Sequence, residues 1–141
     1  CALPILIEHW ELLRNLQDKT GGFRAFIMWS FQGANTQLKA EFPDIKPQSS
    51  NRYLRLLAVS RLYLDNFKNM QSSWVTQGSY IGQLALKFGA NDLGSTMMEE
   101  NVVKAAGAEN RMNQEEMIRL IKDIGENPAK RNTAYEILER F

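Results

Sequence analysis

The chain has 141 residues, the size of one ordinary domain, and its 44% apolar and 23% charged content excludes a disordered polymer. Lys and Arg number 17 against 16 Asp and Glu, a net charge of +1, and the charges are scattered, so no basic stripe marks a nucleic-acid or anionic membrane partner. A single cysteine, Cys1, excludes an intrachain disulfide and fits a reduced, cytoplasmic setting, and no apolar run approaches the ~20 residues that span a bilayer.

Residues 1–6 begin apolar but are too short and lack the basic flank of a signal peptide; they read as a possible non-native leader to a single domain covering residues 1–141. Residues 7–19 follow as a helix with Trp10, Leu13 and Gln17 near one face, and Gly21 and Gly22 end it. Residues 23–31 are rich in aromatic and branched side chains on both faces, the pattern of a strand covered from both sides. Residues 32–50 form a long polar connection with Pro43 and Pro47. Residues 51–67 carry Tyr53, Leu56, Leu57, Ser60, Tyr63, Leu64 and Phe67 at helical spacing.

A second strand is expected over residues 69–75 and a second crossover helix over 80–88, stopped by Gly89. Residues 90–94 read as a third strand that breaks into a Gly-containing polar loop, and residues 99–106 as a short helix favoured by Glu99 and Glu100 at its amino end. Asn113 followed by Glu116 resembles a capping box ahead of Met117, Leu120, Ile121 and Ile124. Asn127 and Pro128 then predict a last helix with Tyr135, Leu138 and Phe141 on its apolar face.

Strands alternating with helices predict an α/β fold with parallel pairing. Three strands cannot close a (β/α) barrel, which needs more, so the fold class expected is part of a TIM-type barrel: about three parallel strands, crossover helices and carboxyl-terminal helices. Such a sheet leaves an apolar face open, which predicts self-association.

Three phrases carry a family resemblance. They run from Thr20 through Gly21, Gly22, Phe23, Arg24, Ala25, Phe26 and Ile27 to Phe31 and Gln32; from Gly82 through Gln83, Leu84 and Ala85 to Leu86; and over residues 90–100. Together, over roughly residues 8–141, they resemble the menaquinone-pathway radical S-adenosylmethionine (radical SAM) enzymes, most nearly the dehypoxanthine futalosine cyclase family, in the last three strands of its barrel. The resemblance implies a parent enzyme that cleaves SAM at a [4Fe-4S] cluster and uses the 5′-deoxyadenosyl radical to cyclise dehypoxanthine futalosine to cyclic dehypoxanthine futalosine. It also implies a Cys-x-x-x-Cys-x-x-Cys cluster motif early in the barrel. That motif is absent from this chain, so the chain by itself is expected to be inactive. Aminofutalosine synthase and the deazaflavin-forming synthase share similar phrases and stand as alternatives.

Polar residues at the carboxyl ends of the strands are the candidates for a small-molecule nucleoside site. Gln32, Asn35 and Thr36 follow the first strand, where they would contact a ribose or the methionine part of SAM, or else form turn chemistry around Gly33. Ser72 and Ser73 end the second strand with Trp74 and Gln77; alternation places one Ser inward, and Trp74 is more often core than a base-stacking surface. Gly78 and Ser79 offer the amides of a helix start, an ordinary one being the simpler reading. Asn91, Asp92, Ser95 and Thr96 end the third strand. Asp92 is the catalytic candidate, as a ribose-diol partner or proton acceptor, set against a role capping backbone amides in its own turn. His9 reads as structural, Met97 and Met98 as filler and Cys1 as inert; no metal ligand is expected within the chain. A different class of reading is a non-catalytic, self-associating α/β module, or a complete small open α/β binding domain.

Overall fold

The computed structural model describes residues 3–96 and 110–141. Helix α1, Leu3–Thr20, begins earlier than the periodicity suggested and turns Trp10 into the core, with Leu6 and Leu13 packed beside it. Gly21 ends it at φ 57, its amide bonding to the Gln17 carbonyl at 2.8 Å. The Gln17 side chain then accepts from the Phe23 amide and donates to the Phe23 carbonyl, so the chain leaves the helix in a fixed direction. That direction delivers strand β1, Phe26–Ile27.

β1 is much shorter than the nine residues expected. Its partner β2, Met70–Gln71, runs parallel with Phe26 opposite Met70 and Ile27 opposite Gln71, and the ladder stops where β2 stops. Beyond it Trp29 and Phe31 are exposed rather than covered on both sides. The long connection holds a short helix, α2, Gln37–Glu41, capped by Thr36, which accepts from the Lys39 amide. Helix α3, Ser50–Tyr63, starts at Ser49, which accepts from the Arg52 amide, and buries Tyr53, Leu54, Leu57 and Ser60 at i, i+4 and i+3 steps along one face.

The expected second strand gives way to helix α4, Trp74–Gln77, followed at Gly78 by helix α5, Ser79–Ala85. The third strand is reduced to a single parallel bridge, Gln71 to Asp92, flanked by the Asn91 amide donating to the Met70 carbonyl and the Ser72 amide donating to the Asp92 carbonyl. The parallel order β1, β2, third segment is therefore present in miniature. The short helix expected over residues 99–106 lies outside the described residues.

Helix α6, Gln114–Asp123, is capped as the sequence indicated: the Asn113 side chain accepts from the Glu116 amide at 2.8 Å. The final helix is not formed. Residues 127–141 make an antiparallel hairpin, β3 (Ala129–Arg131) with β4 (Ile137–Arg140), carrying a register irregularity between Lys130 and Arg131. Asn132 accounts for the difference. Its side-chain oxygen accepts from the amides of Ala134 and Glu136, diverting to a turn the donors that a helix would use.

Two apolar clusters hold these parts. One joins α1, α3, β2 and α5 around Trp10, Tyr53, Leu57, Leu64, Phe67 and Met70, with Phe23 stacked on Phe67 at 5.3 Å. The other joins Trp74, Val75 and Leu93 to Met112, Met117 and Leu120 of the α6 region. The Gln83 amide group donates to the Leu120 carbonyl and ties α5 to α6. Burial of this kind contributes roughly 25 cal/mol per Å² of apolar surface removed from water and dominates over the surface ion pairs.

Candidate functional site

Parallel pairing sends the carboxyl ends of β1, β2 and the third segment to the same side. The polar residues there sort into two groups. The first lies at the ends of β1 and β2. Ser30 is buried, its hydroxyl accepting from the Gln77 side chain at 2.9 Å, while the Gln32 side chain donates to the Ser30 carbonyl. Ser72 and Ser73 are both buried: the chain turns into α4 directly after them, and α5 covers Ser72. The Ser72 hydroxyl donates to the Gly82 carbonyl, and Ser73 shares a hydrogen bond with the Thr76 hydroxyl at 2.7 Å. Trp74 is a core residue, 1% exposed. Thr36 caps α2 and donates to the Gly33 carbonyl, so its hydroxyl serves a turn; Asn35 is exposed beside it.

The second group lies along the third segment. A cleft of about 940 Å³ opens between residues 90–96, α6 and the hairpin. Asn91, Asp92, Ser95 and Thr96 all line it; Gln32, Asn35, Thr36, Ser72 and Ser73 do not. The Asn91 side chain works as a piece of sheet, accepting from the Met70 amide at 2.8 Å and donating to the Lys68 carbonyl at 3.1 Å. Ser95 and Thr96 are exposed at the rim. Met97, Met98, Glu99 and Glu100 lie outside the described residues.

Asp92 has a side chain only 9% exposed. Its Oδ1 accepts from the Gly94 amide at 2.7 Å, the turn-capping role that the sequence held against catalysis. Its Oδ2 accepts from Arg131 Nε at 2.6 Å. Arg131 also donates to the Asn132 carbonyl, and its guanidinium carbon sits 3.9 Å from the centre of the Tyr135 ring. Burial pushes the Tyr135 phenol above its ordinary value, the Asp92 carboxylate adds to this, and Arg131 opposes it. Arg131 and Tyr135 escaped the sequence reading because their partner is 39 residues upstream of Arg131 and the segment was read as helix. Asn132, a turn former between two short runs, was the available signal.

Among the described residues, no group of three or more His, Cys, Asp or Glu side chains is arranged to hold a metal ion. No described helix is long and apolar enough to cross a membrane. His9 is exposed on α1.

These features define a mixed α/β domain with a small parallel sheet and polar strand ends. Residues 20–141 match the family described as the CofH/MqnC C-terminal region, and the chain belongs to that family. It is 48% identical over 132 residues to a cyclic dehypoxanthine futalosine synthase of Streptomyces coelicolor, covering 94% of this chain and 32% of the relative. It is 47% identical over 133 residues to a cyclic dehypoxanthine futalosine synthase of Halalkalibacterium halodurans, covering 94% and 35%. A 5-amino-6-(D-ribitylamino)uracil–L-tyrosine 4-hydroxyphenyl transferase of Methanococcus maripaludis is 40% identical over 137 residues, covering 95% and 38%. The chain thus spans about a third of the length of these curated relatives.

Proposed function

We propose that this chain forms the carboxyl-terminal part of a radical SAM enzyme that cyclises dehypoxanthine futalosine to cyclic dehypoxanthine futalosine in menaquinone biosynthesis. The 48% identity to a relative of that name, over nearly the whole chain, carries the reading. The lower identity to the transferase ranks the deazaflavin-type reaction second.

In this reading the strand ends form one wall of a nucleoside site in a (β/α) barrel completed by upstream polypeptide. Gln32, Ser73, Asn91, Asp92, Ser95 and Thr96 supply hydrogen-bonding groups to that wall, with Ser72 covered by α5 behind it and Asn35 and Thr36 on the flanking loop. Asp92 acts by orienting and accepting, held beside Arg131; each of its oxygens has a second lone pair for a ligand hydroxyl. The cluster belongs to other residues: Cys1 is the only cysteine here, and a [4Fe-4S] centre takes several thiolates.

A chimera tests the proposal. The corresponding carboxyl-terminal third of the Streptomyces coelicolor relative is replaced by this chain, and the product is supplied with iron, sulfide, a reductant, SAM and dehypoxanthine futalosine. Formation of 5′-deoxyadenosine and the cyclic product is expected from the chimera and neither from the chain alone. A folded, cluster-loaded chimera that consumes a ribitylaminouracil and tyrosine but not dehypoxanthine futalosine would replace the proposal with the second reading.

A further inference from the structure

Asp92 is bonded to two elements at once. One oxygen holds the Gly94 amide, the first link of the loop at residues 94–96; the other holds Arg131 on the hairpin. We propose that the β3–β4 hairpin is a latch, with Arg131 and Tyr135 as positioning residues that fix Asp92 and, through it, the cleft-lining loop at residues 94–96.

The backbone at Tyr135 supports this. Tyr135 has φ 66, and it is the only non-glycine residue at positive φ among those described. A bulky side chain adopts that conformation when its surroundings enforce it. The surroundings are visible: the Tyr135 amide donates to the Asn132 carbonyl, and the Asn132 amide donates to the Glu136 carbonyl. The result lays the phenol ring against the Arg131 guanidinium, whose remaining freedom is taken by Asp92 and the Asn132 carbonyl.

The loop is equally committed. Gly94 sits at φ 95, where an added Cβ would approach Gln71 Nε2 to 2.7 Å, so the chain there packs against the Gln71 side chain. β4, by contrast, is exposed along its whole length. The hairpin thus has little core of its own and grips the domain through the ion pair and the ring, which makes it a latch rather than a buttress. What the loop binds rests on the function proposed above; the latch does not, and it is tested on the 141-residue chain without substrate, so that either can fail alone.

The measurement is amide hydrogen exchange at Gly94, with α3 amides as the reference for global stability. Arg131→Gln is expected to speed exchange at Gly94 about tenfold, the factor for losing one hydrogen bond to a charged group, while α3 protection holds. Tyr135→Gly separates the latch from mere hairpin stability. Glycine relieves the positive φ, so a merely structural hairpin would keep or raise Gly94 protection; the latch predicts a loss, because the ring over Arg131 is gone. Tyr135→Phe keeps the ring over Arg131 but removes the phenol beside Asp92, and is expected to speed Gly94 exchange less than Tyr135→Gly does. Unchanged Gly94 exchange in both Arg131→Gln and Tyr135→Gly overturns the proposal. Should those variants lose α3 protection as well, carbon-13 titration of the Tyr135 phenol decides: Asp92→Asn is expected to lower its midpoint, and no change overturns the contact on which the latch depends.

Discussion

The backbone amide of Ser73 donates to the Tyr53 hydroxyl at 2.9 Å, with both residues buried. This bond joins the first turn of α3 to the residue that opens α4, and sets where the chain turns after β2. Removing the hydroxyl leaves a buried amide without its acceptor. Tyr53→Phe should therefore destabilise the chain by about 1–3 kcal/mol, the cost of an unsatisfied buried donor, although the ring itself still fits. Urea unfolding followed by circular dichroism measures it; an unchanged midpoint would show that water or another acceptor reaches the amide.

The same phenol makes stability depend on pH at the alkaline end. Burial pushes Tyr53 up, partly opposed by its bonds with Ser73 and Ser72, and Tyr135 is also raised, by burial first and by Asp92 next. The folded chain therefore holds these protons more tightly than the unfolded chain, whose tyrosines titrate near pH ~10. Below that point both states are protonated and the slope from these groups is zero. Above it the unfolded state binds fewer protons, so stability falls as pH rises. Urea midpoints between about pH 8 and pH 11 should decline only in the upper part, and Tyr53→Phe should flatten the decline.

Gly82 sits within α5, where alanine would ordinarily gain about 1 kcal/mol in helix propensity. Packing reverses the sign. A Cβ at this position would lie 2.5 Å from Trp74 Cβ and 3.2 Å from Trp74 Cα, and backbone atoms cannot rotate away. The same glycine's carbonyl receives the Ser72 hydroxyl. Gly82→Ala should cost about 1–3 kcal/mol net, as overpacking does, and lower the thermal midpoint; a rise would mean that α5 slides freely over Trp74.

Local signals were legible where a residue acts on its own neighbours. The Gly21 helix stop, the Asn113 cap and the buried face of α3 all follow from spacing and side-chain chemistry. Parallel order was legible from the alternation of elements, but strand length was not. A strand lasts only as long as its partner, and β2 ends after two residues because Trp74 begins a helix. The hairpin was misread because Tyr135, Leu138 and Phe141 are spaced three apart, which fits a helix face, whereas Asn132 captures two amides for a turn. At the site, Asp92 could be picked out as a strand-end carboxylate, yet its partner Arg131 could not, since nothing local links residues 39 positions apart.

The exposed side chains beyond β1 predict how the chain behaves in solution. Trp29 and Phe31 are about half exposed, and Leu38 and Phe42 of the α2 region are exposed as well. Upstream polypeptide would cover such a surface in the proposed barrel; in the 141-residue chain, another copy can do so. Sedimentation at micromolar concentration should show a dimer or larger species whose share rises with concentration, because burying large aromatic surfaces drives association. Trp29→Lys and Phe31→Lys together should shift the distribution to monomer while leaving the far-ultraviolet circular dichroism unchanged, since neither side chain belongs to either apolar cluster. A wild-type chain that stays monomeric across that range would mean that Trp29 and Phe31 do not drive association.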